Sequence, residues 1–284
     1  MSEETASICE EPARGPLRVD KRHLDFTLET SPVSKVSLKI ITYNIGTGLD
    51  ESYQTERLLA VLKLVKTGDA DVVCLHDVNV RQLKVLQEGL ESTYLQFQVF
   101  VEEKNLSGTL LMLKYDTVDI PDGSQPYYYD FTQGEGRIIG TEITHLQSGH
   151  RFHILTTRVE DGSDNDHVRE AQYQIIDQVI KPLKNFILVG DFNIYRINEA
   201  MQQRLDSSRM TDFWYSMGCP SLVKHTTKHG RIRSARVYTC MTSKKINLIP
   251  QAMCLLGVKN IGDTVPVPPA NSYALLTIFK CENA

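Results

Sequence analysis

Three apolar runs in this chain end in oxygen-bearing side chains. Asn44 follows KIITY, Asp77 follows DVVCLH, and Asp191 and Asn193 close the run NFILVGDFN. Strand side chains alternate between faces, so Asp191 and Asn193 share one, while Asn44 and Asp77 project from the ends of what read as neighbouring strands. Carboxylate and amide oxygens gathered at one edge suit Mg²⁺, which takes one or two protein carboxylates and completes its shell with water and substrate phosphate. Asp and Asn also end strands simply because they form turns. No single position therefore decides; the conjunction of three strand ends points to a phosphate-processing site.

The elements that must position these residues follow from periodicity. SLKIITYNI and ADVVCLHDV are β-rich apolar runs, and between them ERLLAVLKLVK places Leu58, Leu59, Leu62 and Val65 on one helical face. QFQVFVE, GTLLMLKY, RIIGTEITHL and RFHILTTRV read as strands, the last two as a hairpin through HLQSGHRF. DHVREAQYQIIDQVIKPL is an amphipathic helix with Asp166 as its N-cap, followed by the buried strand NFILVG. MTDFWYSMG reads as a further helix, and RVYTCM, KINLIPQ and YALLTIF as closing strands. Tyr127, Tyr128 and Tyr129 read as a strand packed on its neighbour, and Phe213 and Trp214 as core. Glu160, Asp164, Asp166 and His167 read as a solvated loop with a helix cap.

The 284 residues suit one large α/β domain, 36–284, behind a polar, proline-punctuated leader, 1–35, that reads as flexible. A net charge of −4 excludes bulk electrostatic capture of nucleic acid, so any such contact is regional. One region qualifies: Lys224, Lys228, Arg231, Arg233 and Arg236 lie within thirteen positions with no acid among them, a strip for a nucleic-acid backbone or a dock for an acidic protein. Six cysteines without CxxC spacing read as reduced. The N-terminus lacks the order of a signal peptide and no apolar run approaches the ~18 residues of a membrane span, so the expected compartment is cytoplasmic or nuclear. Oligomeric state is not legible.

The order T-x-N-I, a strand with an acidic end, T-x-x-V-E, GDFN and PPANSYALL, spread over Ile41 to Phe279, resembles the endonuclease/exonuclease/phosphatase superfamily that includes DNase I, apurinic endonucleases and deadenylases. Within it, TDFWYSMGCPS after GDFN, the following YT strand and LIPQAMCLLGVKNIGD resemble the tyrosyl-DNA phosphodiesterases. The resemblance implies an α/β (α+β) fold, a DNase I-like four-layer αββα sandwich. It assigns Asn44 to the active-site asparagine, Asp77 to the metal-binding glutamate, Asp191 to the aspartate that orients the attacking water, and Asn193 to the asparagine that contacts phosphate. Arg169 and Gln172 match a structural Arg-x-x-Gln pair.

The departures bear on chemistry. Thr157-Arg158-Val159 stands for the family's Ser-His-Leu, Ala270-Asn271-Ser272 for its Ser-Asp-His, and Asn247 for an acidic position. Ser272 removes an imidazole and Asn271 the anion that would hold it; loss of such an orienting carboxylate in serine proteases costs ~10⁴ in turnover. Asp77 draws its carboxylate back by on the order of 1 Å relative to glutamate, where Mg²⁺ demands near-ideal distances. Arg158 can hold a phosphate but cannot shuttle a proton. The expectation is a degenerate phosphodiesterase, Mg²⁺ bound weakly or not at all, acting by binding nucleic-acid ends or a protein partner. The alternatives are an active Mg²⁺-dependent enzyme hydrolysing a 5′-end adduct or nucleotide, and a phosphatase-like enzyme on a small substrate.

Overall fold

A computed structural model describes residues 36–46, 53–100, 107–194, 210–226, 234–241, 246–258, 270 and 272–283. The first unit is strand β1 (Ser37–Asn44), helix α1 (Gln54–Gly68) and strand β2 (Val72–Val78), with β1 and β2 parallel. Along β1, Leu38 and Ile40 face one way and Ile41 and Tyr43 the other, and all four are buried. Burial on both faces marks a strand that lies between two layers.

Helix α2 (Val80–Leu90) follows β2 and is absent from the sequence reading. Its signals are present nonetheless: Asn79 and Gln82 form a reciprocal capping box, and Leu83, Leu86 and Leu90 recur on the buried face. Strands β3 (Tyr94–Phe100) and β4 (Gly108–Lys114) complete one side. Strands β5 (Val118–Asp119), β6 (Tyr127–Asp130), β7 (Arg137–His145) and β8 (His150–Arg158), helix α3 (Asp166–Ile180) and strand β9 (Asn185–Asp191) build the other. The chain closes with β10 (Thr211–Asp212), helix α4 (Phe213–Ser216), β11 (Ala235–Met241), β12 (Ile246–Leu256) and β13 (Ala274–Asn283).

Among the described residues the strands form a six-stranded sheet, β12-β13-β1-β2-β4-β3, and a seven-stranded sheet, β10-β11-β9-β8-β7-β5, with β6 also on β7. One apolar cluster joins the sheets, with Ile40, Cys74 and Leu111 against Ile139, Ile154 and Val189. A second packs Ile41, Val73 and Leu75 under Val61, Val65 and Leu86 of α1 and α2. A third packs Leu155 and Leu188 under Tyr173 and Ile176 of α3. This is the expected four-layer αββα sandwich, and the two-residue alternation of the strands divides each into layers.

Several local expectations are revised. The buried face of α1 centres on Val61, Val65 and Gly68, which turns Leu59 out to 54% exposure. Asn165, not Asp166, precedes α3; Asp166 is its first residue and pairs with Arg169. Of MTDFWYSMG only Phe213–Ser216 is helical, because Thr211 and Asp212 pair with β11 and Asp212 then caps Trp214 N–H at 2.8 Å. Phe213 is core, while Trp214 is half-buried and donates to the Pro220 carbonyl. Tyr127 does pack on its neighbour, against Gly140 of β7, whereas Tyr128 and Tyr129 are exposed. The β7–β8 hairpin forms as expected. Cys74, Cys254 and Cys281 carry free thiols. No helix among the described residues is long and apolar enough to cross a membrane. The leader, 1–35, lies outside the described residues.

At Gly190 the parallel pairing of β8 and β9 sets a tight limit. A Cβ there would lie 2.2 Å from the Thr157 carbonyl oxygen, a backbone atom that cannot swing aside. Gly190→Ala is expected to lower unfolding stability by about 1–3 kcal/mol, the cost of forced overpacking, measured by urea denaturation; an unchanged midpoint would show that the two strands can part.

Candidate functional site

The site lies where the parallel pairs β1–β2 and β8–β9 end on the same side of the sandwich. In register, Asn44 stands beside His76, and Arg158 beside Asp191. Between Leu75 and Val78 the pairing of β2 with β4 is interrupted by a bulge, and within it Asp77 adopts the left-handed conformation with φ 55°. A bulge of this kind re-aims a side chain at a sheet rim. Here His76 turns into the space between the sheets, with its Nε2 3.2 Å from Thr42 Oγ1, while Asp77 turns toward β8. Burial, assisted by the charge of Arg158, pushes the His76 imidazole down to about 3, so it is neutral at ordinary pH.

Asn44 links the two sheets. Its Nδ2 donates to Asp77 Oδ2 at 2.8 Å and to Asp191 Oδ2 at 2.6 Å, while its Oδ1 accepts from Gly46 N–H at 2.9 Å. The other Asp77 oxygen, Oδ1, lies 2.8 Å from Arg158 Nε, an ion contact whose angle falls short of an aligned hydrogen bond. Asp191 is buried, and among the described residues its Oδ1 makes no aligned hydrogen bond. Burial raises its carboxyl to about 6; the Asn44 bond, Arg158 and the Ser234 side chain pull the other way, and Asp77 adds to the rise. The Arg158 guanidinium is held above its ordinary range: burial lowers it, but Asp77, Asp191, Glu160 and Asp161 outweigh that effect.

Asn193 is buried in a left-handed turn, φ 45°, and donates to the Val159 carbonyl at 2.8 Å, so it ties the end of β9 to the residue after Arg158. Arg169 and Gln172 of α3 brace the same corner, as expected of a structural pair. Arg169 donates to the Gly162 carbonyl; Gln172 accepts from Glu160 N–H and donates to the carbonyls of Gln133 and Glu135. Glu160 accepts from Glu135 N–H, and no group of three or more metal-ligating side chains forms among the described residues.

The structure thus brings Asn44, Asp77, Arg158, Asp191 and Asn193 together. The register of β13 on β1, with Leu275 beside Thr42, carries half-buried Ser272 to the same edge, and Asn271 lies outside the described residues. Asn247 does not join them. It pairs with Glu282 at the opposite end of β13, roughly 25 Å away along the strand, because β12 runs antiparallel and begins where β13 finishes. Arg236 also leaves its expected group: it is an interior residue of β11, 6% exposed, near Asp212 at 3.6 Å and bonded to Tyr238 Oη. Lys224 is exposed, and Lys228, Arg231 and Arg233 lie outside the described residues. Sequence reasoning missed Ser107, Thr109 and Arg137, which line a narrow cleft with Asp77 and Arg158. They come from the starts of β4 and β7, and the only local signal is Gly136, φ 112°, where a Cβ would meet the Arg158 carbonyl at 2.4 Å.

The model of the endonuclease/exonuclease/phosphatase family matches residues 41–239. The chain belongs to that family. It is 26% identical to tyrosyl-DNA phosphodiesterase 2 of Xenopus laevis over 239 residues, covering 78% of this chain and 61% of that protein, so it spans less than two thirds of the relative's length. In structure it is similar to a humanized D. rerio tyrosyl-DNA phosphodiesterase 2 (TM-score 0.73, 19% identity, 86% of this chain and 99% of that one). It is also similar to the D. rerio protein complexed with single-strand DNA product (TM-score 0.72, 19% identity, the same coverage). The human Nocturnin catalytic domain with bound sulfate follows (TM-score 0.67, 17% identity, 87% and 95%). These likenesses establish the DNase I-like sandwich.

Members of this family commonly use Mg²⁺, and the residues present here can be tested against that ion. Both Asp77 oxygens are engaged, one by Asn44 and one by Arg158. A divalent cation on Asp77 would stand a few ångströms from a guanidinium, a repulsion on the order of several kcal/mol even at an effective dielectric of ~20. As arranged, this donor set does not fit the ion.

The Asp191 shift fixes a pH dependence. The unfolded carboxyl titrates near 3.9 and the folded one near 6, so the fold binds this proton more tightly than the unfolded chain does. Its contribution is best below the unfolded value and is lost as pH rises through about 6, by up to about 3 kcal/mol. Asp191→Asn is therefore expected to be more stable than the parent at pH 7–8 and no more stable at pH 4. Denaturant melts of both proteins at the two pH values check this, and a pH-independent difference would reject it.

Proposed function

We propose that this chain is a catalytically impaired member of its family that binds the phosphates of nucleic-acid ends. The observation that carries the reading is the Arg158–Asp77 ion contact. Two departures from the family pattern meet each other: the residue in the place of a phosphate-contacting histidine is a fixed cation, and the shortened carboxylate is its partner. Phosphodiester hydrolysis requires an oriented water, charge stabilisation on the phosphate oxygens and relief of charge on the leaving group. Asp191 is retained for the first of these tasks and Asn193 for the second, with Asn44 beside them, whereas Ser272 and Asn271 replace the pair that would move and steady a proton. What is left favours binding. A relative that holds single-strand DNA product and another that holds sulfate support an anionic, nucleic-acid ligand.

The rival is an active Mg²⁺-dependent phosphodiesterase, and one assay separates the two. A 5′-phosphotyrosyl oligonucleotide and a generic diester, each with Mg²⁺ and with Mn²⁺, are expected to be hydrolysed no faster by the parent than by Asp191→Ala. Asn271→Asp with Ser272→His is expected to leave turnover low, since catalytic groups act as a unit and Arg158 and Asp77 remain. Turnover by the parent that disappears in Asp191→Ala would establish the rival.

The basic segment supplies a second test. Single-strand binding that uses it should weaken with salt by a log–log slope of roughly −0.7 per phosphate contact. Changing Lys228, Arg231 and Arg233 together to Ala should flatten the slope by about two units, while Arg236→Ala, a buried position, should leave the slope alone and lower the melting temperature. Fluorescence anisotropy at several salt concentrations measures both. Absence of binding at low salt would leave an acidic protein as the partner for this segment.

A further inference from the structure

We infer that the Arg158 guanidinium is the resident cation of this site: it stands where a divalent metal would and keeps the metal out, so that a phosphate is taken without one. The ligand half of this statement rests on the phosphate-site reading above, whereas the cation half stands on geometry alone.

Two features hold the arrangement. The β2 bulge gives Asp77 a left-handed backbone, φ 55°, which a one-residue change of register would abolish, and this turn aims the carboxylate at the end of β8. The parallel pairing of β8 and β9 then sets Arg158 beside Asp191, while Asn193 anchors the next residue through the Val159 carbonyl. Arg158 and Asp77 are both nearly enclosed, with side chains 15% and 12% exposed. A guanidinium so enclosed keeps its charge and stays near its counter-ion.

Charge balance points the same way. The carboxylates that would attract a divalent ion are Asp77 and Asp191. Asp77 is already neutralised by Arg158, and each carboxylate has an oxygen bonded to Asn44. The cleft that Asp77 and Arg158 line with Ser107, Thr109 and Arg137 has a volume of about 10 Å³, room for roughly one water and not for a hydrated Mg²⁺. Arginine in place of a metal also changes what the site can offer a ligand: planar, paired N–H donors suited to phosphate oxygens, with no bound water to activate. One positive side chain would thereby supply the metal's attraction for phosphate and none of its chemistry.

The inference is tested with Mn²⁺, whose electron spin resonance signal reports binding directly, and with Mg²⁺ by calorimetry, on the full chain. The parent is expected to bind neither ion at this site. Arg158→Gln, which keeps a polar side chain and removes the charge, is expected to bind Mn²⁺ at least ten-fold more tightly than the parent. That gain should vanish in Arg158→Gln with Asp77→Ala. Arg158→Ala, checked for folding by circular dichroism, repeats the test with more space. Parent protein that binds Mn²⁺ and loses it in Asp77→Ala overturns the inference, as does a folded Arg158 variant with no gain. In parallel, anisotropy of a 5′-phosphorylated oligonucleotide is followed with and without EDTA: binding unchanged by the chelator supports metal-free capture, and binding abolished by it overturns that half. A parent that takes up neither metal nor oligonucleotide would leave the resident cation standing and would end the nucleic-acid reading.

Discussion

Asn44 joins this molecule's two sheets through a chain of polar contacts at the edge that holds the candidate site. Its amide spans Asp77 on one sheet and Asp191 on the other, both within 2.8 Å, and Arg158 completes the circuit from β8 back to β2. Buried carboxylates are costly unless paired or bonded, so the three elements depend on each other. Two anions are tolerable there because one amide serves both and one guanidinium lies between them. The bulge in β2, the left-handed turn at Asn193 and the close approach at Gly190 follow from the need to bring those four groups together.

On the reading proposed above, Arg158 and Asp77 are paired substitutions, and the same dependence explains them. A histidine opposite a glutamate could release its proton and leave room for an ion; an arginine opposite an aspartate does neither. With the carboxylate one methylene shorter, the larger cationic side chain reaches it from the neighbouring sheet. Together the two side chains make the 2.8 Å ion contact. The retained Asn44, which bonds to both carboxylates, then has a structural reason to persist, quite apart from hydrolysis.

The architecture was legible in the sequence wherever a strand is buried on both faces, as at Leu38–Tyr43 and Phe186–Val189, because such runs are mainly apolar and end at polar turns. Helix α2 is hard to read, since VRQLKVLQEGL mixes polar and apolar residues about equally and its buried stripe is only Leu83, Leu86 and Leu90; the capping box at Asn79 is the readable clue. Four site positions could be placed from strand ends and the family pattern. The partner of Arg158 could not, because Asp77 lies on a different sheet and the bulge that aims it leaves no compositional trace. Arg236 falls among exposed bases by adjacency alone, although β11 is buried on both faces from Ala235 to Tyr238 and takes it inward, and Asn247 lies far from the site because the direction of β12 is set by pairing rather than by order in the chain.

The double grip of Asn44 has a mechanical meaning as well. Hydrogen bonds weaken steeply when stretched beyond roughly 3.2 Å, and these two are anchored on separate sheets whose other contacts in the shared interior are largely apolar and tolerant of small slips. The amide therefore works as a strain gauge across the sandwich. A wedge entering the edge between β1 and β9 would break one grip before the apolar interior yielded, freeing an Asn44 N–H and an aspartate oxygen together. Occupancy of the edge and the spacing of the two halves of the molecule are in this way a single variable.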